Sequence, residues 1–116
     1  MIKITETNVT IMVRDMDKSI SFYESIGLNL KERWGDHYAM ITSTGITIGL
    51  HPTGEHFKET TQHISIGFMV GDVKEATALL EKNNIAFKSD DGKSGTYLHF
   101  HDPDGSVLYF VQPKWR

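Results

Sequence analysis

Apolar residues alternate with polar or flexible ones in two stretches that open the two halves of this chain. The first stretch spans residues 9–13, where valine and isoleucine occupy every second position, and the second spans residues 64–70. Because successive side chains of a strand point to opposite faces, each stretch predicts a strand with one buried face. A helical period follows each strand, and it predicts helices near residues 16–26 and 73–83.

Polar residues at the ends of the predicted helices support these assignments. Asp15 or Asp17 opens the first helix and Asp72 opens the second, because an aspartate side chain accepts hydrogen bonds from first-turn amides. Gly27 and Asn84 follow the two last turns, and both tolerate the left-handed backbone that ends many helices. The pattern therefore predicts two short, bounded helices.

Three further strands are predicted after each helix. The Asp-Pro-Asp-Gly sequence at residues 102–105 is typical of a tight turn between two of them, and it lacks the longer acidic series of a calcium loop. The predicted strands span residues 28–34, 37–42 and 45–51 in the first half, and residues 85–89, 95–101 and 106–112 in the second.

The two halves of the chain repeat one another. Residues 13–28 align with residues 70–85, and residues 45–52 align with residues 105–112, with apolar positions and turn residues matched. A preserved pattern of this kind indicates two copies of one βαβββ unit.

This repeat predicts an α+β fold class within a single domain over residues 1–116. The two tandem βαβββ modules lie near residues 3–52 and 62–114, and residues 53–61 form the linker. One helix covers only one face of a four-stranded sheet, so the other face must be buried elsewhere or used. We therefore expect the modules to form a cup-shaped mixed sheet with the helices on the outside.

Composition excludes several classes of function. The chain has 116 residues, no cysteine and a net charge of −3. Disulfides, thiolate zinc sites and a cysteine nucleophile are therefore excluded, and no field suited to nucleic acid or an anionic membrane is expected. Residues 1–13 lack the apolar core of a signal peptide, and no stretch approaches the roughly 18 apolar residues of a membrane span. We expect a cytoplasmic protein.

Two segments carry a resemblance to a known family: VRDMDKSISFYESIGL at residues 13–28 and FHDPDGSVLYFVQ at residues 100–112. Together with the paired βαβββ halves, they resemble the vicinal oxygen chelate superfamily, also called the glyoxalase, bleomycin-resistance and extradiol dioxygenase fold. The resemblance covers essentially the whole chain. It implies either a metal-dependent isomerase, epimerase, dioxygenase or thiol transferase, or a metal-free protein that binds drugs, so the fold alone does not identify the function.

The resemblance also implies where a metal would be bound in a catalytic member of the superfamily. Carried over to this sequence, the ligand positions are Asn8, Gly49, Ser65 and Tyr109, and Tyr109 stands at the place of the family's glutamate. A divalent cation of the enzyme type needs about three or four strong nitrogen or oxygen donors, and none of these residues is His, Glu or Asp. We therefore expect no metal and no cofactor.

Histidines leave two enzymatic alternatives open. His51, His63, His99 and His101 lie near the implied metal positions, and they could rebuild a site for a metal-dependent glyoxalase-like lyase or dioxygenase. A metal-free enzyme could instead use Tyr109 or His99 as an acid or base. No catalytic residue is identified by the sequence.

The sheet face away from the helices is predicted to carry aromatic, methionine and small polar residues, a mixture that suits a flat, partly apolar ligand. The alternative is that these residues fill the cup or seal a dimer interface. Gly49 and Gly67 favour open space over filler, since neither places a side chain on that face.

We therefore predict a metal-independent small-molecule binding protein of the glyoxalase/bleomycin-resistance type, rather than an enzyme. It would bind an aromatic or drug-like ligand, as antibiotic-resistance proteins do. We also expect a homodimer, because the edge strands are open to pairing with another chain. The small negative net charge would suit a cationic drug. The predicted ligand-binding residues are Asn8, Thr10, Met12, Trp34, Tyr38, Met40, Thr47, Gly49, Ser65, Met69, Tyr97, His99 and Tyr109.

Overall fold

The computed structural model describes residues 9–52 and 65–114. Asn8, His63 and the predicted linker lie outside these residues. The first half contains β1 (Val9–Val13), α1 (Met16–Ser25), β2 (Asn29–Trp34), β3 (Tyr38–Ser43) and β4 (Ile46–Pro52). The second half contains β5 (Ser65–Met69), α2 (Val73–Lys82), β6 (Lys88–Asp91), β7 (Gly95–His101) and β8 (Val107–Pro113).

Each half of the chain forms its own mixed sheet. The chain divides into two compact units, the first ending at Glu59 and the second beginning at Thr60. The strand order is β1-β4-β3-β2 in the first unit and β5-β8-β7-β6 in the second. In each sheet the first strand pairs in parallel with the last, and the other pairs are antiparallel. The predicted α+β fold of two tandem βαβββ modules is confirmed.

Aspartate side chains cap the starts of both helices. Asp15 is the N-cap of α1 and accepts a hydrogen bond from the backbone N–H of Lys18 at 3.0 Å. Asp72 plays the same part in α2 and accepts from the backbone N–H of Lys74 at 2.9 Å. Of the two candidates, Asp15 is therefore the N-cap. Asp17 lies in the first turn, where its carboxylate interacts favourably with the helix dipole.

Left-handed residues end both helices, as predicted. Gly27 has a φ of 110° and Asn84 has a φ of 56°. The next amide in each case, Leu28 or Ile85, donates back to a carbonyl of the last helical turn, at 3.0 and 2.9 Å respectively. These bonds are those of a Schellman ending, which satisfies carbonyl groups that the helix leaves free.

The core of each module lies between its helix and one face of its sheet. Alternate strand residues face the helix, so the period of two in the sequence selects the buried face. Residues at most 1% exposed include Val13, Tyr23, Ile41, Ile48 and Leu50 in the first module, and Leu80, Leu98, Phe100 and Leu108 in the second.

The position of β6 differs from the sequence prediction. The predicted strand spanned residues 85–89, but the strand is Lys88–Asp91. The amide of Ile85 is bonded into the end of α2, so the chain is not free to pair there. The far end is held by Asp91, whose carboxylate accepts from the Thr96 hydroxyl at 3.0 Å and forms a salt bridge with Lys114 at 3.1 Å.

The Asp-Pro-Asp-Gly sequence forms the predicted turn between β7 and β8. The amide of Gly105 donates to the carbonyl of Asp102 at 3.0 Å, and Gly105 adopts a φ of 89°. The Asp102 carboxylate is buried and accepts from the amides of Asp104 and Ser106 at 2.9 and 2.8 Å. This carboxylate organises backbone amides within the turn, which explains the residue without a calcium ion.

Within residues 9–52 and 65–114, neither α1 nor α2 has the length and apolar character needed to cross a membrane.

Candidate functional site

The second module presents a sheet face on the side away from α2. Leu98, Phe100, Leu108 and Phe110 are buried on the helix side, so the residues that alternate with them must project the other way. We call this surface the second-module face. It contains Ser65, Gly67 and Met69 of β5, Tyr109 of β8, Tyr97, His99 and His101 of β7, and Lys88 and Asp90 of β6.

Three rings meet at the centre of the second-module face. Tyr97 and His99 stack with ring centroids 5.8 Å apart and planes 8° from parallel. Tyr109 lies 5.7 Å from Tyr97 and 6.1 Å from His99, tilted against both. The hydroxyl groups of Tyr97 and Ser94 are 2.8 Å apart and hydrogen-bonded. We refer to Tyr97, His99 and Tyr109 as the ring cluster; both tyrosines are half-buried and the imidazole is exposed.

Gly67 makes room for the ring cluster. It is the direct partner of Tyr109 in the parallel pairing of β5 with β8. A Cβ atom at position 67 would overlap the phenol ring of Tyr109, so the ring occupies the space next to this glycine. The expectation that Gly67 leaves open space is therefore wrong, because the side chain of Tyr109 occupies that space.

The first module also has a glycine covered by a tyrosine, on its own face away from α1, which we call the first-module face, but here the two residues are not direct partners in the sheet. The phenol of Tyr38 lies over Gly49, where an added Cβ atom would be 2.7 Å from Cζ of the ring. Trp34 and His51 flank Tyr38 with ring centroids 5.7 and 6.5 Å away. The expectation of open space at Gly49 is wrong for the same reason as at Gly67. Trp34 is 49% exposed, so this face also ends in an accessible ring.

The predicted ligand-binding residues divide between the two faces. The alternation predicted the face of each strand residue, and the structure adds which side chains touch. It brings Tyr97, His99 and Tyr109 together, with Ser65 and Met69 on either side of Gly67 along β5. The first-module face holds Thr10, Met12, Trp34, Tyr38, Met40, Thr47 and Gly49, and the second-module face holds Ser65, Met69, Tyr97, His99 and Tyr109.

Sequence reasoning missed three polar residues beside the ring cluster. Asp90 was missed because the predicted strand ended at residue 89, and Lys88 was missed although it lay within that strand. Ser94 precedes β7, and only its hydrogen bond to Tyr97 connects it with the site. Only their antiparallel pairing with β7, which the sequence does not reveal, places Lys88 and Asp90 on this face.

Arg33 lies on the opposite side of its sheet from Trp34. Its Nη2 atom is 2.7 Å from the Asp17 carboxylate of α1 and 2.8 Å from that of Asp36. The hydrogen bonds that Arg33 donates to Asp17 and then to Asp36 raise the pKa of its guanidinium above the ordinary value. Arg33 therefore ties β2 to the helix side, whereas Trp34 borders the first-module face.

The donors at the implied metal positions do not fit a divalent cation. Gly49 supplies no side-chain ligand and is covered by Tyr38, while Ser65 and Tyr109 are weak donors when protonated. Among residues 9–52 and 65–114, no three His, Asp or Glu side chains come together in a way that could hold an ion. His51 Nδ1 is 2.8 Å from the Pro52 carbonyl oxygen, which points that nitrogen at its own strand.

A cavity of about 360 Å³ lies at the ends of β5 and β8. It is lined by Met69, Val70, Gly71, Gln112 and Pro113. The Gln112 side-chain oxygen already accepts a hydrogen bond from the Val73 amide at 2.8 Å, so it is engaged in holding the start of α2. The cavity thus borders the second-module face through Met69, which is 55% exposed.

Comparison with known proteins identifies related sequences and folds. A family model described as the Glyoxalase/Bleomycin resistance protein/Dioxygenase superfamily matches residues 7–110. An uncharacterised protein of Mycolicibacterium smegmatis is 30% identical over 111 residues, which cover 93% of each chain.

Several solved structures share the fold over nearly the whole chain. A glyoxylase/bleomycin resistance protein/dioxygenase domain from Frankia sp. EAN1pec has a TM-score of 0.74 at 23% identity, with 98% of this chain and 99% of that chain covered. A bleomycin-binding protein complexed with bleomycin has a TM-score of 0.74 at 16% identity, with 96% and 100% covered. At these identities the likeness shows a shared fold.

Proposed function

The chain belongs to the Glyoxalase/Bleomycin resistance protein/Dioxygenase superfamily, and from that premise we propose that it binds a flat aromatic small molecule without a metal ion. The binding surface is the second-module face, with the ring cluster of Tyr97, His99 and Tyr109 at its centre. In this proposal the protein captures a drug-like ligand, as antibiotic-resistance proteins do, and does not transform it.

The observation that carries the proposal is the ring cluster itself. Three rings with centroids within 6.1 Å of one another stand on a sheet face where the tyrosines are only half-buried. Aromatic pairs at centroid separations of about 4.5–7 Å gain about 0.5–1.5 kcal/mol beyond the area that they bury. A planar ligand that adds a ring to this cluster would gain the same kind of contact and cover apolar surface that is otherwise in water.

Polar groups around the cluster supply directional contacts. The Tyr97 hydroxyl is oriented by Ser94 at 2.8 Å, so it has a defined direction in which to meet a ligand. Ser65 lies two residues from Gly67 on β5 and is exposed. A few placed hydroxyl groups around an apolar surface are typical of small-molecule sites, where they fix the ligand's orientation.

The donor set favours this proposal over metal-dependent chemistry. Ser65 and Tyr109 are the described second-module residues at the implied metal positions, and neither is a strong ligand for a divalent cation. The Tyr109 ring is instead engaged with Gly67, Tyr97 and His99. The same side chain therefore serves as an aromatic contact where a catalytic relative would need a carboxylate.

Binding of defined probes tests the proposal. The related bleomycin-binding protein makes bleomycin one probe, and 2-naphthol serves as a plain aromatic probe. We expect calorimetric titration to show binding of at least one of them, and Tyr109→Ala to weaken it by about fivefold or more. Phe22→Ala is the matched control, since Phe22 is a half-buried aromatic residue of α1.

Two results would contradict the proposed function. One is that neither bleomycin nor 2-naphthol binds to the unaltered protein. The other is binding that Tyr109→Ala leaves unchanged, or that Phe22→Ala weakens equally.

We also propose a cytoplasmic homodimer. Each four-stranded sheet ends in strands with one unpaired edge within the described residues, β1 and β2 in the first sheet and β5 and β6 in the second. Unpaired edges are available for pairing with another chain. Light scattering at about tens of micromolar protein should give the mass of a dimer, and the mass of a single chain would contradict this part of the proposal.

A further inference from the structure

The charged groups of the second-module face are separated along β6. Lys88 is directly opposite His99 in the β6–β7 register, and Asp90 is directly opposite Tyr97. Directly opposite residues of an antiparallel pair project from the same face with Cβ atoms about 4.5–5.5 Å apart. The amine and the carboxylate therefore flank the ring cluster at two different places. His101 follows His99 on the same face, so it lies towards the Lys88 end.

Lys88 and Asp90 are both exposed, and within residues 9–52 and 65–114 neither forms a salt bridge. Their neighbour Asp91 behaves differently, because it faces the other side of the sheet and is bonded to Thr96 and Lys114. The second-module face thus keeps one cation and one anion available to a ligand, on either side of the rings.

We propose that the ligand of this face is an aromatic carboxylate. The proposal rests on the proposed function, because it assigns the ligand's polar group to the surface where the aromatic part binds. Lys88 offers an ammonium group with three donors, and the imidazoles of His99 and His101 can each donate a ring N–H. The carboxylate lies at this end of the cluster, and the aromatic part stacks on the rings.

Asp90 defines the orientation of the bound acid. A carboxylate placed beside Tyr97 would meet the like charge of Asp90 opposite that tyrosine. The same carboxylate placed beside His99 meets the opposite charge of Lys88. The charges of Lys88 and Asp90 therefore favour one orientation of the bound ligand over the reverse orientation.

The negative net charge of the whole chain does not oppose an anionic ligand. Charges farther away than about 8–10 Å are largely screened at physiological ionic strength. The net charge of −3 is spread over 116 residues, whereas Lys88 stands opposite a member of the ring cluster. Local placement therefore outweighs the average, and the cationic drug suggested by the net charge is not the ligand that this face favours.

A pair of isosteric ligands tests this inference. The experiment measures by calorimetry the affinities of 2-naphthoate and its uncharged analogue 2-naphthamide, which share the same ring system. We expect the unaltered protein to bind 2-naphthoate about fivefold more tightly than 2-naphthamide, the upper end for one exposed ion pair. Added sodium chloride should narrow this ratio, since salt screens exposed charges.

Two substitutions should move the ratio in opposite directions. Lys88→Gln should reduce the preference for 2-naphthoate to about none, and Asp90→Asn should widen it by about twofold. Lys82→Gln is the matched control, because Lys82 is an exposed lysine at the end of α2, and it should leave the ratio unchanged. A general loss of stability would not shift the affinity ratio in opposite directions for two neighbouring residues of one strand. Melting curves check that each variant folds.

The outcomes separate this inference from the proposed function. Equal affinities for the two ligands, or a ratio that Lys88→Gln leaves unchanged, would overturn the aromatic carboxylate while leaving aromatic binding in place. Binding of neither ligand would overturn both. A tighter complex with 2-naphthamide than with 2-naphthoate would show that Asp90 dominates the face and would also overturn the inference.

Discussion

The phenol ring of Tyr109 occupies the volume that a side chain at Gly67 would need. The two residues are direct partners across the parallel β5–β8 pair, and an added Cβ atom at position 67 would overlap the ring. The absence of a side chain on one strand thus fixes where the ring of the next strand lies. That ring in turn contacts Tyr97 and His99, so Gly67 positions the ring cluster without touching a ligand through any side chain of its own.

Gly67→Ala should displace the Tyr109 ring and weaken aromatic binding. The overlapping atoms belong to the outer end of a half-buried side chain, so the ring can swing away at a modest cost of about 1 kcal/mol or less in the free energy of unfolding. Affinity for 2-naphthamide should fall by about fivefold. Gly71→Ala is the control, since a Cβ atom there meets nothing within 4 Å. Unchanged affinity in Gly67→Ala would contradict the role assigned to the ring.

Tyr109→Ala should lower the free energy of unfolding by only about 1–2 kcal/mol, because its ring is half-buried. Tyr23→Ala should cost about 3–5 kcal/mol, since Tyr23 is fully buried beneath the first sheet. Urea denaturation of both variants measures the two costs. A loss for Tyr109→Ala as large as that for Tyr23→Ala, with ligand binding intact, would mean that Tyr109 is a core residue.

Divalent metal ions should not stabilise the protein. A site of micromolar affinity at a hundredfold excess of ion would contribute about 2.7 kcal/mol, which means several degrees in Tm for a domain of this size. We expect smaller shifts from nickel, zinc, manganese and iron, measured on protein without a histidine tag. A shift of several degrees that Tyr109→Ala abolishes and His99→Ala does not would overturn metal-free binding. A shift abolished by His99→Ala would support the rebuilt histidine site.

The stabilising effect of Asp91 should depend on pH. The hydrogen bond from Lys114, and then that from Thr96, lowers the pKa of the Asp91 carboxyl below its ordinary value. A carboxyl group whose pKa is lower in the folded state contributes stability above its unfolded pKa of about 3.9, and this contribution is lost as pH falls through the folded value. Asp91→Asn should therefore lower Tm near neutral pH.

At a pH below the folded-state pKa of Asp91, the Tm difference between Asp91→Asn and the unaltered protein should vanish. Asp90→Asn is the control, because Asp90 has no salt bridge within the described residues and its effect on Tm should be small at every pH. A destabilisation by Asp91→Asn that persists unchanged in acid would contradict the ionic origin of the effect.

The sequence predicted the architecture well because local rules determine most of it. The period of two places Leu108 and Phe110 on the helix side and Tyr109 on the other, since a shift of one residue would exchange the faces. Asp15 and Gly27 mark the ends of α1 through hydrogen bonds that lie within a few residues in sequence. Such signals do not depend on distant parts of the chain.

The contacts of the site could not be predicted in the same way. Gly67 shows in the sequence only that a side chain is missing, and the register of β5 with β8 decides that the Tyr109 ring fills the space. Lys88 lies on the second-module face because the β6–β7 register sets it opposite His99, in a strand that begins only after the Ile85 amide has bonded back to α2. Both facts depend on pairing between segments that are far apart or on competition for one backbone amide.

The tyrosine–glycine contacts of the two modules also constrain how this sequence can evolve. In the repeat, Gly49 corresponds to Tyr109 and Thr10 corresponds to Gly67, and each module pairs these two positions across its parallel strands. A tyrosine at position 49 would collide with Tyr38 and Thr10, and a threonine at position 67 would collide with Tyr109. The residues of each pair are therefore coupled: Tyr38 would have to move before a tyrosine could stand at position 49, and Tyr109 would have to move before a threonine could stand at position 67. Although the two modules share one strand order, a residue at the centre of one exposed face cannot be exchanged for its counterpart without displacing the tyrosine that covers the glycine.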